Sequence, residues 1–202
     1  MIELRTSRQA LWFIKKYINH KVSRVWLYIA RTKESTLLPV WKFGLGKYDF
    51  LLAFDRLSSL CVSENIIKLI PTHNGDCFNI RNIYFKIAID ENGETSINKT
   101  AMIITQKEAA SLMNFNIDVD CEDDVVPIKI QKGNNNIPFW SFTKDDVAHS
   151  VPISGNYTLK NYEEICFARV GDDFLIDNNL YDLSHYQDED KTFKFYFKKK
   201  HL

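Results

Sequence analysis

The sequence predicts an α+β fold: an antiparallel sheet meander with an N-terminal amphipathic helix and two or three further short helices. Three observations carry this. The dipeptides Asn74-Gly75 and Asn92-Gly93 suit tight hairpin turns. Residues Ile83–Asp90 alternate, with Ile83, Phe85, Ile87 and Ile89 on one face and Tyr84, Lys86 and Asp90 on the other. Near the N-terminus, Ala10, Phe13, Ile14, Tyr17 and Ile18 recur at helical spacing. Antiparallel meanders with few helices argue against a doubly wound α/β fold.

Taken in order, the first helix starts at a capping box formed by Thr6 and Gln9. Its apolar stripe puts Ile14 and Tyr17 in the core, and its other face carries Arg8, Trp12, Lys15, Lys16 and Asn19. Two strands follow, Val25–Arg31 and Leu37–Phe43. A second helix is expected over Asp49–Cys61, with Phe50, Phe54, Leu57 and Cys61 on one side. Ile66–Ile104 reads as a three-stranded meander, and Thr105–Met113 as a short capped helix. Strands are expected at Asn116–Asp120, Val125–Gln131 and Ile137–Phe142, and a single helical turn at Thr143–His149. Glu164–Val170 and Asp173–Ile176 flank a hairpin candidate at Gly171-Asp172. The chain closes on the alternating run Lys191–Lys200, with Phe193, Phe195 and Phe197 inward and Lys194, Tyr196 and Lys198 outward. No internal repeat stands out at a fixed period. One domain over residues 1–202 is expected, and the turn to acidic composition over Phe115–Asp124 is the candidate sub-boundary.

At 202 residues and 45% hydrophobic, the chain can bury a substantial core. The longest apolar runs, such as Val25–Ala30, fall far short of the roughly 20 residues a spanning helix needs. Lys15 and Lys16 interrupt the first apolar run, so no secretory leader is read. Cys61, Cys77, Cys121 and Cys166 show no C-x-x-C pairing. Together these predict a cytoplasmic protein with free thiols and no membrane contact.

Charge is sorted along the chain. There are 26 basic and 26 acidic residues, yet residues 1–50 sum to +7, residues 111–190 to −11 and residues 191–202 to +5. Unless folding interleaves these segments, the molecule has a basic region made from its ends and an acidic region made from its middle. Such fields steer charged partners and say nothing about reaction chemistry.

Motifs for chemistry are weak. Ile104–Met113 resembles the first helix of a helix-turn-helix DNA-binding unit. The residues where a reading helix should follow carry Asp118, Asp120, Glu122, Asp123 and Asp124, which would repel phosphates. The same stretch has the oxygen-rich spacing of a calcium loop, but Asp123 sits where such loops need glycine. It reads as a solvated acidic surface. His73, Asp76 and Cys77 cluster at a turn that explains them without catalysis. Gly44–Lys47 lacks the upstream glycine and following hydroxyl of a phosphate loop, and reads as a loop before a helix. Glu189, Asp190 and Lys191, with Asp177 upstream, are the only suggestion of a metal-dependent nuclease. No catalytic residue, metal ligand or cofactor is assigned.

The partner-binding candidates are basic and aromatic: Arg8, Trp12, Lys15 and Lys16 on the first helix, and Lys194, Tyr196 and Lys198 on the last strand. Rings beside cations serve as protein hot spots or as base-stacking platforms. The expectation is a non-enzymatic protein that binds another protein through charge-polarised surfaces. One form of it is a phage or mobile-element inhibitor whose acidic middle mimics nucleic acid. The alternatives are a nucleic-acid binder using both basic ends, and a metal-dependent nuclease or phosphodiesterase. Oligomeric state is not legible in the chain.

Overall fold

The computed structural model describes residues 3–18, 21–55, 65–132, 135–157 and 164–201. Among the described residues 54% are in strand, and helix is confined to two segments. The class is therefore mainly antiparallel β, not α+β with three or four helices. The chain divides into two compact units. Unit 1 is Met1–Arg81 with Phe85–Lys99, and unit 2 is Asn82–Tyr84 with Thr100–Leu202. Residues 115–124 lie inside unit 2.

Unit 1 opens with α1 (Ser7–Phe13), whose capping box is formed by Thr6 and Gln9, and continues as a π-helical segment, Ile14–Ile18. Strands β1 (Trp26–Thr32), β2 (Leu37–Leu45), β3 (Tyr48–Ala53) and β4 (Ile66–Pro71) form an antiparallel sheet in the order β3-β2-β1-β4. A second sheet follows in the order β5-β6-β7, from Cys77–Ile80, Ile83–Ile89 and Thr95–Thr100. Ala10, Ile14, Leu27, Ile29, Val40, Trp41, Phe78 and Ile87 are buried. The Trp41 indole Nε1 donates to the Leu4 carbonyl at 2.9 Å, so this large side chain is buried without an orphaned N–H.

Unit 2 has the same plan. α2 (Gln106–Ile117) starts at a capping box formed by Thr105 and Glu108. β8 (Val126–Lys132), β9 (Asn135–Lys144), β10 (Val147–Pro152) and β11 (Glu164–Phe167) pair in the order β10-β9-β8-β11. β12 (Asp173–Ile176), β13 (Asn179–Gln187) and β14 (Phe193–Lys199) pair in sequence order. Trp140 repeats the role of Trp41, donating to the Ile103 carbonyl at 2.7 Å.

The chain is thus an internal duplication, against the expectation of no repeat. Pro39-Val40-Trp41-Lys42-Phe43 matches Pro138-Phe139-Trp140-Ser141-Phe142. Gly75-Asp76-Cys77-Phe78-Asn79-Ile80-Arg81-Asn82 matches Gly171-Asp172-Asp173-Phe174-Leu175-Ile176-Asp177-Asn178. In both units the aspartate carboxylate accepts from the backbone N–H three residues earlier: His73 for Asp76 at 2.7 Å, Arg169 for Asp172 at 2.9 Å. Each capping threonine makes a lone antiparallel bridge to the last strand of its unit or its start, Thr6 to Ser96 and Thr105 to Tyr196. The spacing between matched residues is 99 at the tryptophans and 96 at the glycines, because the intervening loops differ in length. A search at one fixed period misses such a repeat.

The helix expected over Asp49–Cys61 is replaced by β3, whose register is set by a tight turn closing Leu45 against Tyr48. Gly46 sits there at φ +63°, a conformation that glycine adopts without Cβ strain. Phe50 and Phe54 fit a helical period, but Phe50 instead lies opposite Phe43 in the next strand, their rings stacked at 5.7 Å. Residues 56–64, the rest of that expected helix, lie outside the described residues. The helical turn expected at Thr143–His149 is the β9–β10 hairpin, with Asp145 and Asp146 both at positive φ. The strand expected at Asn116–Asp120 begins as the end of α2, which stops where Asp118 turns left-handed.

The expected meander over Ile66–Ile104 is also redrawn. β4 pairs with β1 in the first sheet. Asn74-Gly75 and Gly171-Asp172 join one sheet to the next, while Asn92-Gly93 closes the β6–β7 hairpin as expected. Arg81-Asn82 and Asp177-Asn178, each a pair of positive-φ residues, close the β5–β6 and β12–β13 hairpins.

Candidate functional site: a basic-aromatic helix face

The first helix buries less than its apolar stripe suggests. Ala10 and Ile14 are buried, but Tyr17 is 55% exposed. The cause is local. The helix passes from α to π winding at Ile14, so residues beyond it fall out of the 3.6-residue phase that would have kept Tyr17 beneath Phe13. Tyr17 therefore joins the polar face, packing at 4.7 Å between ring centres on Phe13 and edge-on at 6.1 Å to Trp12. Trp12 is 52% exposed. The Lys16 ammonium lies 4.7 Å from the Trp12 ring centre and 5.3 Å from that of Tyr17. Lys15 is exposed beside it, and Arg8, one turn N-terminal to Trp12, pairs with Glu94 at 2.6 Å. Cation–π contacts of this kind hold a lysine over a ring while its remaining donors face water.

The C-terminal half of the expected patch is not a patch. Lys194 is buried, at 8% exposure, and is ion-paired with Asp123 and, at 3.8 Å, with Glu122. The hydrogen bond to Asp123 raises its pKa above the ordinary 10.5, ahead of the desolvation that lowers it. Tyr196 is half-buried, tilted against Tyr186, and engaged through its backbone with Thr105. Lys198 alone is exposed as expected. The expected alternation of β14 holds only at its far end, where Phe197 is buried and Lys198 exposed, and is reversed at Phe193 and Lys194. Glu122 and Asp123, in the acidic loop after α2, cover Lys194, and Phe193 is 57% exposed.

The acidic surface is accordingly smaller than its sequence suggests. Asp118 caps α2, Glu122 and Asp123 hold Lys194, and Asp120 and Asp124 are exposed. Further along, Lys129 pairs with Asp172 at 2.9 Å and Lys200 with Asp173. Burial alone would push the Asp172 carboxyl up. The Lys129 and Arg169 hydrogen bonds outweigh it and hold the group below its ordinary range. Folding therefore interleaves acid and base within unit 2. What survives is a difference between units: unit 1 has 15 basic and nine acidic residues, +6, while unit 2 has 11 and 17, −6.

The other candidates resolve as structure. The His73–Asp76 contact belongs to the turn, and Cys77 is buried. Asp177 accepts from Ser154 and Asn156 at one end of β13, while Glu189, Asp190 and Lys191 lie past the other. The nine residues of β13 put about 30 Å of strand between them, so Asp177 does not join Glu189, Asp190 and Lys191. Among the described residues, no three His, Cys, Asp or Glu side chains converge to hold a metal, and no helix is long and apolar enough to cross a membrane.

The sequence missed Tyr17, whose exposure follows from a π segment that no residue pattern announces. It also missed Arg24, which sits in an irregular stretch without periodicity. No protein-family model, curated protein or solved structure matches the chain.

Proposed function

We propose that this is a non-catalytic macromolecule-binding protein whose α1 face engages an acidic surface of a protein partner. The observation that carries the reading is Trp12, half-exposed with Lys16 held over its ring, on a unit of net charge +6. A solvent-facing indole flanked by cations is typical of an interaction hot spot and uncommon on an inert surface. Protein is favoured over nucleic acid by geometry. Bases need a free, flat ring face to stack on. Here Lys16 covers one face of Trp12, and Tyr17 meets it edge-on. A second reading, mimicry of nucleic acid by unit 2, draws support only from that unit's net −6.

The test compares poly-glutamate with single-stranded oligo(dT) at graded salt, in the parent chain and in Trp12→Ala and Lys16→Glu. Binding of poly-glutamate that weakens with salt and is lost in both variants supports the reading. Preferential binding of oligo(dT), or binding unaffected by both substitutions, rejects it.

A further inference from the structure

The duplication makes each unit a control for the other. Ser7 and Gln106 occupy the same place, each following the capping threonine. Each side chain accepts from one strand amide: Ser7 Oγ from Thr95 at 3.2 Å, Gln106 Oε1 from Phe195 at 2.9 Å. Gln106 reaches further. Its Nε2 donates to the Glu122 carbonyl at 2.9 Å, tying the helix start to the segment that leads into β8. Lys194 closes the same place through Asp123 and Glu122.

Among the described residues, unit 1 has no such closure. The Ser7 hydroxyl is too short to reach across. The segment leading into β1 carries Ser23 and Arg24 where unit 2 has Asp123 and Asp124, with buried Val25 and Val125 fixing the match. Glu94 stands where Lys194 stands in unit 2, and turns to Arg8 instead of spanning the gap. The result is a cleft of about 360 Å³ lined by Ser7, Arg8, Leu11, Ser23, Arg24 and Glu94. Arg24 is exposed and makes no hydrogen bond or ion pair among the described residues. Ser7 Oγ is used as an acceptor, which leaves its hydrogen to donate.

We propose that this cleft binds a small oxyanion, a carboxylate or phosphate monoester group. Arg24 and Arg8 supply the charged donors, the Ser7 and Ser23 hydroxyls the neutral ones, and Leu11 the apolar wall for the ligand's stem. A planar guanidinium matches either anion with two parallel N–H donors. Glu94 holds Arg8 at the cleft through their ion pair. The proposal rests on the cleft alone and not on the partner reading.

The test is an amide chemical-shift titration of the whole chain with inorganic phosphate and, separately, acetate. Saturable shifts are expected at Ser23, Arg24 and Gly93, with a dissociation constant in the millimolar range, about 10 mM or tighter. Arg24→Ala should weaken binding about tenfold. Ser7→Gln, which imports the plug of unit 2, should abolish it. Should Ser7→Gln fail to fold, Arg24→Ala at its exposed site decides alone. A response to phosphate only assigns a phosphate monoester, and an equal response to acetate assigns a carboxylate. Shifts that never saturate, that spread over lysines at large, or that persist unchanged in Arg24→Ala overturn the proposal. Trp12→Ala should leave these shifts intact, which separates this site from the α1 face.

Discussion

Trp12 exposes about half its surface while Trp41 and Trp140 expose none. Trp41 and Trp140 each find a backbone carbonyl at the start of their unit. Replacing either with Phe strands that buried carbonyl and should cost about 1–3 kcal/mol in denaturant melts. Trp12→Ala should leave the melting temperature nearly unchanged. The ion pairs make pH predictions of opposite sign. Asp172 has a depressed pKa in the fold, so its contribution is present above its unfolded value and is lost as pH falls through the folded one. Lys194 has a raised pKa, so its contribution is full below its unfolded value and is lost as pH rises through the folded one. Asp172→Asn should flatten the acid limb of a stability–pH curve, and Lys194→Met the alkaline limb. Among the described cysteines Cys166 is exposed, Cys77 and Cys121 are buried, and all three are free. Burial, with Asp120 and Asp124 nearby, pushes the Cys121 thiol up to about 11. Iodoacetamide on the native protein should therefore label Cys166 quickly and Cys121 only after unfolding, as peptide mass spectrometry would show.

At the scale of elements, both helix starts were legible because a capping box is a local contact between residues three apart. Thr6 with Gln9 and Thr105 with Glu108 form as their spacing requires. Thr105→Ala should cost about 1 kcal/mol in denaturant melts. Ile14 is fully buried, so Ile14→Ala should cost about 2–5 kcal/mol in the same measurement. Tyr17 departs from its apolar stripe because the change from α to π winding is set by what packs against the segment, and no short-range signal encodes it. β3 departs from its helical pattern for a related reason. Phe50 and Phe54 satisfy a helical period, and only the partner strand β2 decides that their backbone pairs outward instead of inward on itself. Asn74-Gly75 is a turn, as its residues demand. Whether a turn folds a strand back on its predecessor or hands it to another sheet is a question of pairing, and that is not local.

At the scale of the whole molecule, the charges that sum to zero separate as +6 on unit 1 and −6 on unit 2. At low salt the protein should be retained on both cation and anion exchangers despite its neutral total. Exchanging Lys15 and Lys16 for Glu should weaken retention on the cation exchanger alone, and unchanged retention there would reject the prediction. The two halves match as strings only over short segments. Buried tryptophans, capping threonines and turn aspartates recur because each unit needs the same closures, while surface residues have diverged in charge. By itself the sequence determined the antiparallel character, the two capped helices, the buried Ile14 and the charged, half-aromatic face of α1, all consequences of contacts between residues close along the chain. The tertiary structure alone decided that Lys194 is an internal ion-pair partner, that the chain repeats itself, and that a gap lined by Arg8 and Arg24 opens where Gln106 closes its counterpart. Those outcomes depend on segments about 70 to 100 residues apart meeting in space, and hydrophobic periodicity carries no information about which distant charge a buried lysine will find.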